Sequence, residues 1–332
     1  MVGSAAVQAT AVRPLGGVLV VDFTRYLPGS FASAQLLELG ARVVCVEQPG
    51  GDPMRTTAPA WHAALAAGKE SVVVDLKSDP ALALALVARA DVVLESFRPG
   101  VASRLGIGPD EAPPRAVYCS ITGFGPAGRH EQRAGHDLNY LGWAGVLADT
   151  APAWPPVQIA DLAAGGQGAV TQILAGLLER ERTGSGARLV VSMTHGSHRL
   201  AAHRLGGDPV PRLLTGALAC YRIYATAEGR HLTVGALEAV FFHRLCELLE
   251  RPDLAGRQYG SDQEGLAAEL AAIFQGRPLA EWLELFDGED VCVGPVATLE
   301  EAAADLGTAL PKRGPAPAVG RDTEAWREEL GL

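Results

Sequence analysis

The sequence predicts an α/β protein, a parallel sheet with helices on both faces, followed by a smaller α+β unit. Three observations carry this. Short runs rich in valine and isoleucine alternate with helical stretches along the first part of the chain, the pattern of strands buried on both faces. From about residue 200 that rhythm gives way to a hairpin and amphipathic helices. Glycine-bearing loops follow the strands, at the end of the sheet where ligands gather in such folds.

The run "GVLVVDFT" at 17–24 reads as the first strand. "GSFASAQLLELG" follows as a helix, with Ser30 the expected N-cap and Gly40 the stop. "ARVVCVEQPGG" is a second strand running into a glycine turn. "ESVVVDLK", "PALALALVARA" and "DVVLESF" repeat strand, helix and strand, and "AVYCSITGFG" adds another strand. "IADLAAGGQGAVTQILAGLLERERTGSGARLVVSM" is a helix, a glycine turn and a strand. "ACYRIYATAEGRHLTVGALE" at 219–238 reads as a hairpin turning on "AEG". "GLAAELAAIFQ" and "LAEWLELFDG" have the spacing of amphipathic helices. The expected division is a large domain at 1–199, a small α+β domain at 200–305 and an extended Pro/Gly-rich tail at 306–332.

The chain of 332 residues carries 28 basic and 38 acidic side chains, a net charge of −10, and no Lys/Arg cluster stands out. Nucleic acid and anionic membrane surfaces are therefore excluded as expected partners. The five cysteines, Cys45, Cys119, Cys220, Cys246 and Cys292, are dispersed, with no zinc-type spacing, which suits small core residues in a reducing cytoplasm. No metal or prosthetic group is expected. The first dozen residues lack a basic start and a long apolar core, so they do not read as a signal peptide, and no apolar run reaches membrane-spanning length.

Three stretches with ionisable residues invite attention. In "GHDLNY" His136 and Asp137 precede an apolar run, which is the ordinary pattern of a helix cap. Asp161 in "QIADLAAGG" reads as another cap, and Glu238 at the end of "TVGALE" as a solvated strand end. None is specific alone. No G-x-G-x-x-G opens the first helix, which argues against a dinucleotide site.

In order along the chain, "VVDFTRYLPGSFASAQLLELGARVVCVEQPGGDPMR", "GKESVVVDLKSDP", "VLESFRPGVASRLGIGP", "YCSITGFGPAGRHEQRAGHDLNYLGWAGVL", "RTGSGARLVVSM", "YATAEGRHLTVGALE" and "FDGEDVCVGPV" resemble the family III CoA-transferases, the CaiB/BaiF family. The resemblance spans nearly the whole chain. It implies a Rossmann-like large domain, an acyl-CoA substrate and an interlocked homodimer in which the tail returns to the large domain. Within the family, His136, Asp161 and Glu238 match the catalytic groups of the α-methylacyl-CoA racemases. The implied reaction is inversion of the α-carbon of a 2-methylacyl-CoA by two-base proton transfer. The alternative is CoA transfer to a carboxylic acid through a covalent Asp161 intermediate, and a third reading is a non-enzymatic CoA-binding interaction protein. Coenzyme A enters as part of the substrate, with Arg98 its expected phosphate contact and Arg25, Arg55 and Lys69 further candidates. Cys45 and Gln48 stand where family members commonly carry Lys or Arg, and "LLTGALACY" stands where the racemases tend to carry an Asp-Gly-Gly stretch.

The chemistry explains why racemisation needs these types. A proton must leave one face of the carbon and another must reach the opposite face, so two groups of matched proton affinity are required. Histidine is near neutrality by type, a partner carboxylate such as Glu238 would fix its tautomer, and burial would raise Asp161 toward the same range. The enolate oxygen needs fixed donors, for which backbone N–H groups beside Gly165 and Gly166, at a helix start, are the candidates.

Overall fold

The computed structural model describes residues 13–207, 209, 212–307 and 315–332. They form two compact units. The division falls after Ala202, and the C-terminal segment belongs with the first unit.

The first unit is built on six parallel strands, β1 (Leu19–Asp22), β2 (Arg42–Glu47), β3 (Glu70–Val73), β4 (Val92–Glu95), β5 (Val117–Thr122) and β6 (Arg188–Ser192), in the order β3-β2-β1-β4-β5-β6. Helices α1 (Leu27–Glu38), α2 (Met54–Thr57), α3 (Pro59–Ala66), α4 (Ala81–Arg89) and α5 (Val101–Arg104) fall between the first five strands. After β5 come α6 (Asp137–Trp143), a π-helix over Ala160–Gln167 and α7 (Gly168–Thr183), and α8 (Met193–Leu200) follows β6.

Successive residues of a strand point to opposite faces, and the two faces bury separate cores. Val20, Val43, Val92 and Ile121 pack with Leu36 and Ile173 on one side. Val21, Val44, Val72 and Val93 pack with Leu82, Leu86 and Trp326 on the other. The strand order reverses between β1 and β4, so the loops after these two strands diverge and leave a crevice at their carboxyl ends. Arg25 follows β1 there and Arg98 follows β4.

Two local expectations are corrected. Helix α1 does not start at Ser30; Tyr26 is its N-cap and Pro28 lies in its first turn. Proline is tolerated there because the first-turn N–H groups have no intrahelical partner. A side chain on Gly29 would lie 2.1 Å from Thr24 Oγ1, so only glycine lets the helix start press this closely on the preceding loop. The tail is not extended throughout, since Thr323–Leu330 forms a helix. Its docking residues treat β3 as an edge to be satisfied: Ser71 N donates to Asp322 Oδ2 (2.8 Å), Val73 N to Thr323 Oγ1 (3.0 Å) and Trp326 Nε1 to Glu70 Oε2 (2.6 Å).

The second unit holds an antiparallel sheet, β7 (Tyr221–Ala225), β8 (His231–Gly235) and β9 (Val293–Pro295), over helices at Ala239–Leu248, Gln263–Phe274 and Leu279–Leu285. The β7–β8 turn closes where Thr226 N donates to Arg230 O (2.8 Å), with Gly229 at φ 77°. Leu232, Val234, Phe242, Leu270, Phe274 and Trp282 form its core. The Pro/Gly connectors at 206–216 and 310–320 lie in part outside the described residues. Among the described residues no helix is long and apolar enough to cross a membrane.

Candidate active site

The crevice opens into a cleft of about 500 Å³, lined by Arg25, Tyr26, Arg98, His136, Tyr140 and Asp161 among others. His136 and Asp161 therefore meet in one cavity of the first unit, although 24 residues separate Asp137, the neighbour of His136, from Asp161.

His136 is exposed at the N-cap of α6, and its backbone N–H donates to Asn139 Oδ1 (3.0 Å). His136 is thus both the cap of α6 and a residue that lines the cleft: the helix start fixes the backbone that carries the imidazole. Asp137, one residue on, accepts the backbone N–H of Asp161 at 2.9 Å and ties α6 to the π-helix.

Asp161 lies in the first turn of that π-helix. π-helices are rare, and here the wide coil is packed through glycine. A Cβ on Gly165 would lie 2.9 Å from Met193 Cγ, and one on Gly166 would lie 2.7 Å from Phe31 Cδ1 and 3.0 Å from Pro28 O. The expectation of a helix start with oxyanion donors beside these two glycines is corrected: they are buried inside the π-helix, where they allow close approach of α1 and α8. Burial, and after it the Asp137 charge, pushes the Asp161 carboxyl from 3.8 up to about 7. Tyr140 beneath it donates to Gly135 O, and burial followed by the Asp161 charge pushes its phenol up to about 12.

Replacing Asp137 by Asn keeps an oxygen for the Asp161 N–H and removes the like charge. Asp137→Asn is therefore expected to move the Asp161 limb of the pH–rate profile to lower pH, by on the order of half a unit to one unit, read from kcat/KM between pH 5 and 9. A limb that stays in place, or moves up, contradicts the coupling.

The basic residues divide. Arg25, with its N–H on Ser96 Oγ (3.2 Å) and its guanidinium 5.9 Å from the centre of the Phe97 ring, lines the cleft, as does the exposed Arg98. Lys69 is 2% exposed and donates to Ser30 O (2.9 Å) and Ser33 Oγ (2.7 Å), and Ser33 Oγ in turn donates to Asp22. Arg55 is held by Glu47 (2.6 and 2.7 Å) and Pro317 O (2.9 Å). These two cations have internal partners, Lys69 on α1 and Arg55 on the end of β2 and Pro317, and neither lines the cleft. Cys45 lines the same small internal cavity as Lys69 and Arg55, whereas Gln48 also reaches a second hollow. That hollow, about 580 Å³ in volume, shares Arg25 and Phe97 with the cleft and adds the exposed Lys77. Lys77 was not singled out from the sequence, although its place just past the third strand was the available signal. Glu238 stands in the second unit, exposed at the N-cap of Ala239–Leu248. Among the described residues no group of His, Cys, Asp and Glu could hold a metal ion.

A parallel sheet with a cleft at its switch point, holding a raised carboxyl and a histidine, defines an acid–base or acyl-transfer enzyme class. The chain belongs to CoA-transferase family III, whose family model matches residues 15–310. Human alpha-methylacyl-CoA racemase is 35% identical over 309 residues, 86% of this chain and 78% of that protein. Human succinyl-CoA:glutarate CoA-transferase is 32% identical over 326 residues, 89% of this chain and 74% of that protein. Among solved structures, a hypothetical protein of Mycobacterium tuberculosis, Rv3272, superposes with a TM-score of 0.82 at 29% identity, covering 96% of this chain and 100% of that one.

Proposed function

We propose that this chain is a 2-methylacyl-CoA racemase or epimerase. The observation that carries the reading is the carboxyl of Asp161, raised to about 7 in the cleft it shares with His136. At that affinity Asp161 gives and takes a proton at neutral pH, in the range where imidazoles work by type. One group removes the α-proton, the thioester becomes an enolate, and the other group returns a proton to the opposite face. The pair carries one exchangeable proton before and after, so each direction resets the other. Arg25 and Arg98 are assigned to the phosphates of coenzyme A, with Lys77 and the adjoining hollow for its nucleotide. Glu238 is kept as a third catalytic candidate, a carboxylate, on the resemblance to the racemases alone. The five cysteines are unbridged and suit a reducing cytoplasm.

Transferases stand beside the racemase among the relatives, which supports a second reading with Asp161 as nucleophile. Nucleophilic attack needs the ionised carboxylate, and the burial that raises Asp161 to about 7 works against that form. Hydroxylamine separates the two. As a proton carrier Asp161 forms no anhydride, so activity with acyl-CoA should survive hydroxylamine treatment. A hydroxamate on the peptide containing Asp161 would establish the transferase.

We further propose an interlocked homodimer, supported by the return of the C-terminal segment to the first unit. Threaded rings separate only by unfolding, so the dimer mass should persist on dilution to nanomolar concentration. A folded, active monomer in native mass spectrometry contradicts this.

A further inference from the structure

We infer that Tyr26 is a positioning residue for His136, held in a strained backbone for that purpose; the inference rests on the racemase reading. Tyr26 has φ 64° and ψ −164°, a region open essentially to glycine alone. Of the four non-glycine residues with positive φ among those described, it is the one that lines the cleft. Strain of this kind persists only where the surroundings dictate the backbone, and here they do. On one side Thr24 is fixed to Asp22 through its N–H (2.8 Å) and its hydroxyl (2.6 Å), and Arg25 N is held by Ser96 Oγ (3.2 Å). On the other side α1 begins at once, with Gly29 pressed against Thr24.

The loop therefore asks for glycine at position 26, and a tyrosine stands there. Core packing does not explain the choice, because Tyr26 is 49% exposed. What its side chain does meet is His136: the ring centres are 6.4 Å apart and the planes are at 89°, an edge contact within the range of favourable ring pairs. The helix cap fixes the backbone of His136, and the Tyr26 ring, edge-on to the imidazole, is the wall we assign to it: it restricts the rotation of the group that must meet the α-proton.

The test uses the full chain with Tyr26→Gly and Tyr26→Phe, followed by deuterium wash-in at the α-carbon of a 2-methylacyl-CoA. Glycine relieves the backbone and removes the wall. The expected result is a Tm equal to or above that of the wild type, kcat lower by roughly tenfold or more, and KM within about threefold. Phenylalanine keeps the ring and should restore the wild-type rate. Full turnover in Tyr26→Gly overturns the inference, as does a fall in Tm that accompanies the loss of rate, or a Tyr26→Phe variant as slow as Tyr26→Gly. Absence of wash-in by the wild type overturns the racemase reading instead. In that event the His136 imidazole resonance still decides for Tyr26: it should shift in Tyr26→Gly, and an unmoved resonance refutes the contact.

Discussion

His136→Ala is expected to slow α-proton exchange by roughly 10²–10⁴-fold, the usual contribution of a positioned acid or base. His136 is exposed, and alanine keeps the half of the capping box that its backbone N–H makes to Asn139 Oδ1 while losing only the half made by the side chain. The fold should therefore be little disturbed, with the loss falling on kcat. The check is wash-in rate beside thermal unfolding. A rate within about tenfold of wild type would remove His136 from the mechanism, and a collapse of stability would make its role structural.

Asp161→Asn should separate activity from stability in opposite directions. Exchange should fall by roughly 10²–10⁴-fold, because an amide neither takes nor returns the proton. Stability should rise. The Asp161 carboxyl titrates near 3.8 when solvated and at about 7 in the fold, so the folded state binds the proton more tightly. Its contribution is fully present below pH 4 and is lost as pH rises through 7. At pH 8 the wild type carries the whole cost of a buried carboxylate, and Asn carries none. The variant should then be more stable by roughly 2–4 kcal/mol, with the two proteins converging below pH 4. Denaturant melts at both pH values check it. Equal stability at pH 8 would mean that the carboxyl is not raised.

Much of this was legible in the sequence, for physical reasons. The valine-rich runs that became β1 to β5 are buried on both faces, and continuous apolarity is the mark such strands leave. Placing the resembling motifs on those strands was enough to bring His136, Asp161, Arg25 and Arg98 to one cleft. The same sequence could not say which cations turn inward. Lys69 and Arg55 are indistinguishable from ligand-binding residues until Ser33 and Glu47 are seen beside them. Gly165 and Gly166 look like a donor loop in sequence because glycine serves both exposed turns and tight helix contacts, and only packing separates the two uses. Tyr26 left no signal at all, since backbone strain is set by the loops on either side rather than by the residue that bears it.

The most direct test of two-base racemisation is a single enantiomer of a 2-methylacyl-CoA incubated with the wild type in deuterated water, with no acceptor acid. The account predicts one deuterium at the α-carbon and drift toward equal amounts of the two epimers. Substrate that keeps its configuration and gains no deuterium, while CoA passes to an added carboxylic acid, would contradict it.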